Sequence, residues 1–167
     1  MAASDIFMYI IALLLIGITG VNLYATMTSK KRKDKSNQSF QKIIWPIEER
    51  LLSEMKGRGL EYTVVRRLLN DQDQGIIFCS DPKNRKAVIA MADSSVHFSF
   101  DELKDSKVIY ETQGKKVLRA DVHVIINDTV YTYEIASKEF NPRSLMGKVL
   151  YETAEELANL LEDIRKG

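Results

Sequence analysis

One cysteine, two histidines, three prolines and one tryptophan occur in the 167 residues, and each scarcity removes a class of explanation. The lone Cys79 excludes an intrachain disulfide framework and fits a reducing compartment. His97 and His123 have no metal-ligand spacing to each other or to Cys79, so no metal is expected. No Walker A loop, GxGxxG, HExxH, GxSxG or EF-hand pattern is present. Asp101 and Glu102 are adjacent carboxylates, but neighbouring residues point apart and acid-base work needs facing groups, which makes a turn or helix-cap role the expectation. No catalytic residue and no cofactor is therefore expected, and the chain reads as a non-enzyme.

An excess of either charge is missing too. The formal net charge is +1; Lys30, Lys31, Arg32, Lys33 and Lys35 net of Asp34 contribute +4 and Asp5 contributes −1, so residues from Ser36 onward carry −2. A polybasic nucleic-acid binder is excluded by that balance. About 130 residues remain beyond the N-terminal region, the usual size of one domain.

What is present in abundance lies at the start. The 22 residues Ile6 to Met27 contain no charge, and at 1.5 Å per residue a helix of that length reaches about 33 Å, enough for a hydrocarbon core of roughly 30 Å. A cleaved signal peptide would carry positive charge before the run, where only Asp5 stands, and would have a shorter apolar region. A core helix would have a polar face, which Asn22 with Thr19 and Thr26 does not make. The expectation is a membrane-spanning segment through Ile6, Tyr9, Leu14, Gly17, Gly20, Asn22, Tyr24 and Met27, with Tyr9 and Tyr24 near the two interfaces. Gly17 and Gly20 stand three apart and do not form GxxxG, whereas Asn22 is a candidate for an interhelical hydrogen bond.

The basic run Lys30 to Lys35 favours the cytoplasmic side. It predicts a single-pass protein of the plasma (inner) membrane with its N-terminus outside and its C-terminal domain in the cytoplasm. The same five cations are candidates for contact with anionic lipid heads, at about 1 kcal/mol each, secondary to their role in orientation.

The segments then read as an anchor over 1–29, a basic juxtamembrane linker over 30–42, an amphipathic helix over 43–59 and a β-rich domain over 60–167. In the helix Ile43, Ile47, Leu51 and Met55 recur every four residues. Pro46 suits a first helical position, so the compact version spans Pro46 to about Lys56; a start at Phe40 would put a kink at Pro46. Trp45 would let the helix lie on the membrane surface, but the acids Glu48, Glu49 and Glu54 favour packing on its own domain.

After Gly59 the pattern becomes strand-like. Strands are expected over 62–69, 76–79, 86–92, 96–100, 108–111, 117–126 and 130–136, separated by turn residues that include Pro82 and Asn127-Asp128. Links this short cannot make parallel crossovers, so the strands form an antiparallel meander, either a sandwich or a partly open barrel. Val96, Phe98 and Phe100 alternate with His97 and Ser99, and Ala120, Val122, Val124 and Ile126 with Asp121, His123 and Ile125; one buried and one wet face follow. A final helix from Arg143 or Ser144 to Lys166 carries the stripe Met146, Leu150, Ala154, Leu157, Leu161 and Ile164. That stripe either plugs the open side of the sheets or pairs with a second copy, and the small Ala154 and Ala158 favour the plug.

The segment KAVIAMADSSVHFSFDELKDSKVIYE, with its step Phe100-Asp101-Glu102-Leu103 and the strand Val108 to Glu111, resembles a group of uncharacterised bacterial membrane-anchored proteins with a PH-like or GRAM-like domain. The terminal YETAEELANLLEDI, with Tyr151, Ala154, Ala158, Leu161 and Ile164, is similar to that group's last helix. The resemblance implies an α+β fold: a transmembrane helix, about seven antiparallel strands and a C-terminal amphipathic helix. It leaves the activity open, because fold alone does not assign function. Phosphoinositide-binding PH domains use a basic first hairpin, and the turn NDQDQG here is acidic. The functional expectation is a protein-interaction module at the membrane, with membrane lipids, an unidentified protein partner and a homo-oligomer through the transmembrane or C-terminal helix as its associations. The alternative is an anionic-lipid-sensing domain that adds Lys42 and the Lys83 to Lys86 loop to the basic run.

Overall fold

A computed structural model of the protein describes Thr26 and residues 36–166. The chain divides into two units, Met1–Lys42 and Ile43–Gly167. Of the first, Thr26 and residues 36–42 are described and are helical. The account below concerns the second.

In this unit helical residues run from 43 to 58 and form α1. Pro46 therefore lies inside the helix, correcting the start expected there. An interior proline costs about 3 kcal/mol, but helix upstream of it places Ile44, which is fully buried, and burying such a side chain returns about 1.5–3 kcal/mol. With Ile47, Leu51 and Met55 on the same buried stripe, continuing the helix is favoured.

Seven strands follow: β1 (Thr63–Leu69), β2 (Gly75–Asp81), β3 (Lys86–Ala90), β4 (Ser95–Ser99), β5 (Leu103–Gln113), β6 (Lys116–Ile126) and β7 (Thr129–Ala136). They make two antiparallel sheets, ordered β1-β2-β3-β4 and β5-β6-β7, and neither closes into a barrel. A 3₁₀ turn, Phe100–Glu102, joins them. Asn127 and Asp128 both have positive φ, 46° and 63°, as a two-residue turn matched to strand twist requires.

The main core is shared by both sheets and the last helix, α2 (Leu145–Lys166). Phe78, Ile89 and Phe98 of the first sheet meet Val122, Val124 and Ile135 of the second, with Leu150, Ala154, Leu157 and Leu161 of α2. Polar bonds fix α2 from two sides: Ser106 Oγ donates to the Ala158 carbonyl at 2.9 Å, Tyr110 Oη to Glu155 at 3.0 Å, and Arg66 of β1 pairs with Glu156. The apolar stripe of α2 thus lies in the chain's own core. Met146 is the exception, at 67 % exposure.

One sheet departs from the expected wet face. Every residue of β2 is buried, and so are Ala87 to Ala90 of β3. Ile76 and Phe78 face the main core, while the alternate Ile77 and Cys79 face α1, which lies on the outer side of the first sheet. Gly75 permits the close approach: a Cβ there would stand 2.7 Å from Ile47 Cδ1 and 3.0 Å from Ile44 Cδ1. Those atoms are ends of flexible side chains, so Gly75→Ala is expected to cost only about 1–2 kcal/mol. A fall in the urea midpoint checks this; an unchanged midpoint would mean that α1 rides freely on the sheet.

Candidate binding surfaces

The anchor residues Ile6, Tyr9, Leu14, Gly17, Gly20, Asn22, Tyr24 and Met27 and the basic run Lys30, Lys31, Arg32, Lys33 and Lys35 lie outside the described residues. Among the described residues no helix is long and apolar enough to cross a membrane, and no three His, Cys, Asp or Glu side chains converge as metal ligands. His97 and His123 occupy different sheets. His97 does not face open solvent as its outward position suggested, because Glu54 of α1 reaches it at 3.3 Å. Glu102 turns back to accept from the Ser99 amide at 2.7 Å and from Asn127 at 2.9 Å. It fastens the turn between the sheets, while Asp101 pairs with Arg85.

A polar cluster clamps α1 to the β3–β4 hairpin. The Arg50 guanidinium donates to the carbonyls of Met91 at 2.5 Å, Ser94 at 2.9 Å and Ala92, all in the turn between β3 and β4. Glu54 sits beside it, 3.5 Å from Arg50 Nε, and accepts from Ser95 Oγ at 2.7 Å. The Ser95 bond holds the Glu54 carboxyl below its usual value of 4.5; His97 and Arg50 act in the same direction and burial opposes them. A depressed folded value contributes stability above the unfolded value and loses it as pH falls through the folded one. The clamp is thus expected to weaken below about pH 4, near the ordinary glutamate range. Urea midpoints at pH 6 and pH 3.5 check this: the loss on acidification should be smaller in Glu54→Gln than in the native chain, and equal losses would remove Glu54 from the clamp.

Among the described residues, clefts open at three places. One of about 400 Å³ lies between β1, β2, the 3₁₀ turn and the end of α2. Val65, Phe78, Phe100, Leu160 and Ile164 form apolar walls, and Arg85 and Asp163 supply its charges. Arg85, in the Lys83 to Lys86 loop, stacks on Phe100 with 5.4 Å to the ring centroid and donates to Asp101 at 3.2 Å. The volume is at the lower end for a small-molecule site. A second cleft of about 180 Å³ reaches Cys79 beneath α1, and a third of about 160 Å³ joins Arg58, Tyr62, Lys86 and His97. Burial pushes the Cys79 thiol up to about 12, with the Glu48 carboxylate adding to it, so the thiol is no nucleophile at neutral pH.

Among the described residues, two helix faces expose large apolar groups. The first turns of α2 present Leu145, Met146 and Val149, with Tyr151 stacked on Tyr110 at 5.0 Å between centroids. The outer side of α1 presents Trp45 and Leu52. Neither the clamp nor the 400 Å³ cleft was singled out in the sequence, because their residues are 41 to 44 and roughly 80 positions apart. No family model matches the chain, and neither a curated protein nor a solved structure does.

Proposed function

We propose that the chain is a single-pass protein of the plasma (inner) membrane, N-terminus outside, whose cytoplasmic PH-like domain serves as a protein-interaction module at the membrane. Two antiparallel sheets of four and three strands and a C-terminal helix that shares their core support the PH-like reading. The observation that carries the interaction role is the start of α2. Its inward side is committed to the core, yet Leu145, Met146 and Val149 stand outside it together, and grouped exposed apolar side chains mark interaction sites more often than singly scattered ones do. The uncharged run and the basic residues after it support the anchor and its direction.

Two measurements on the full chain in cells test this reading. An impermeant maleimide should label Ser4→Cys in intact cells and Asp128→Cys only after the membrane is opened, while Cys79, 1 % exposed, stays silent; the reverse pattern overturns the topology. A photo-crosslinker at Met146 should give a discrete adduct that one at Asn127 does not. Equal or absent adducts at both positions would remove α2 as the contact surface. The alternative, lipid contact by the tethered domain, is favoured by a separate observation on α1.

A further inference from the structure

The outer side of α1 differs from what its composition suggests. Of its charges, Glu48 is committed to Arg67, Arg50 to the β3–β4 turn, and Glu54 to Ser95 and His97. Two of the three acids that argued against a membrane surface are thereby turned toward the domain. What remains outside is a row of Trp45 and Leu52, 64 % and 56 % exposed. Residues seven apart nearly align on a helix, so Glu49 and Lys56 form a neighbouring row with no net charge.

Three occupants compete for this face, and size separates them. A whole Trp side chain buries up to about 250 Å², so the exposed parts of Trp45 and Leu52 together offer roughly that much. A standard protein interface takes about 800 Å² from each partner. A second copy or a protein partner would have to draw most of that area from the polar surface around these two side chains, whereas an interface between lipid and water needs only a few anchoring groups. Position along the chain points the same way: the uncharged run ends 18 residues before Trp45, and the basic run 10 before it. Tryptophan favours the headgroup level, where its ring is apolar and its N–H stays wet.

We propose that Trp45 and Leu52 lie in the headgroup region of the membrane leaflet, so that the domain rests on the lipid surface by the outer face of α1 instead of hanging free from its tether. This rests on the reading of Ile6 to Met27 as a membrane anchor.

Trp45 is the only tryptophan in the chain, so intrinsic fluorescence reports this one position. Full-length protein is reconstituted into vesicles containing anionic phospholipid, with plain or brominated acyl chains, and extraction by alkaline carbonate is followed in the same preparation. Brominated lipid is expected to lower the Trp45 emission at least twofold, and acrylamide to quench it several-fold less in vesicles than in Leu52→Glu. That variant changes an exposed position, and an unlabelled Cys79 verifies that its α1 stays docked. Emission indifferent to bromine in a carbonate-resistant chain overturns this inference and leaves the anchor standing. Emission quenched by bromine in an extractable chain supports the lipid contact and overturns the anchor. Shielding from acrylamide without quenching by bromine would put protein over this face, and overturns the inference as well.

Discussion

Gly147→Ala is expected to lower the stability of the domain by about 3 kcal/mol, at the upper end of what an overpacked site costs, although helix propensity alone gives the opposite sign. Gly147 is the third residue of α2, and Ala in place of Gly in a helix gains about 1 kcal/mol. Here the gain cannot be realised. A Cβ would stand 1.9 Å from the Asn141 carbonyl oxygen, 2.8 Å from its carbon and 2.9 Å from Ser144 Oγ. The first two are backbone atoms, which no rotamer change removes. They are also fixed from behind, because the Asn141 carbonyl accepts from both the Ser144 amide at 2.9 Å and Ser144 Oγ at 2.7 Å.

The added methyl therefore disrupts the cap itself, in which Gly147 N–H donates to Ser144 Oγ at 3.0 Å, and a lost cap costs about 1 kcal/mol. With a urea slope of about 2 kcal/mol per molar, the midpoint should fall by roughly 1.5 M. Lys148→Ala, next to it and exposed, should stay within about 0.5 kcal/mol. A midpoint for Gly147→Ala equal to or above the native one would mean that the turn over 141–147 opens at little cost. The orientation of Leu145 and Met146 would then not be fixed by it.

The strands were legible because local chemistry and tertiary environment agree in them. Val96, Phe98 and Phe100 alternate with His97 and Ser99, and the alternation matches the burial of Phe98 and Phe100 in the main core. Asn127-Asp128 marks a tight turn because these two types tolerate positive φ. The stripe of α2 was legible from Leu150 onward and failed at Met146, where the cap at Ser144 and the contact of Gly147 with Asn141 decide which side of the first turn meets the core. The covering of the first sheet was half legible: IIFC and AVIA are unbroken apolar runs, the pattern of strands buried on both faces.

Which element covers them depends on contacts across the chain. Arg50 and Glu54, spaced i and i+4, read as an ordinary surface pair; only the fold brings the carbonyls of Met91, Ala92 and Ser94 to Arg50. Pro46 was misread for a related reason, since a local preference for the first helical turn was set against the burial of Ile44, which only the sheet supplies.

Leu51→Ala is expected to raise the rate of maleimide labelling at Cys79 roughly a hundredfold while the two sheets stay folded. Leu51 is buried against the outer side of the first sheet and lines the cleft that reaches Cys79. Truncating such a side chain costs about 3 kcal/mol, within the range of leucine-to-alanine changes in cores. The loss falls on the docking of α1, because Leu51 belongs to the layer under that helix and not to the core shared by the sheets and α2. Segments held by a single layer open locally at a cost below that of global unfolding. At 1.4 kcal/mol per factor of ten, 3 kcal/mol multiplies the open population by roughly a hundred.

The thiol suits this measurement. It is unreactive while α1 is docked, held protonated by burial and the nearby Glu48 carboxylate, and it is the only one in the chain. Val124→Ala supplies the control from the main core: it should lower the urea midpoint by a similar amount and speed labelling only as far as global unfolding does. If Leu51→Ala labels no faster than Val124→Ala at matched midpoints, α1 and the sheets unfold as one unit, and the outer face of α1 then has the rigidity of the whole domain. If it labels faster, as expected, the clamp of Arg50 and Glu54 is the restraint left on a helix that opens by itself, and acid that protonates Glu54 should add to the effect of the truncation.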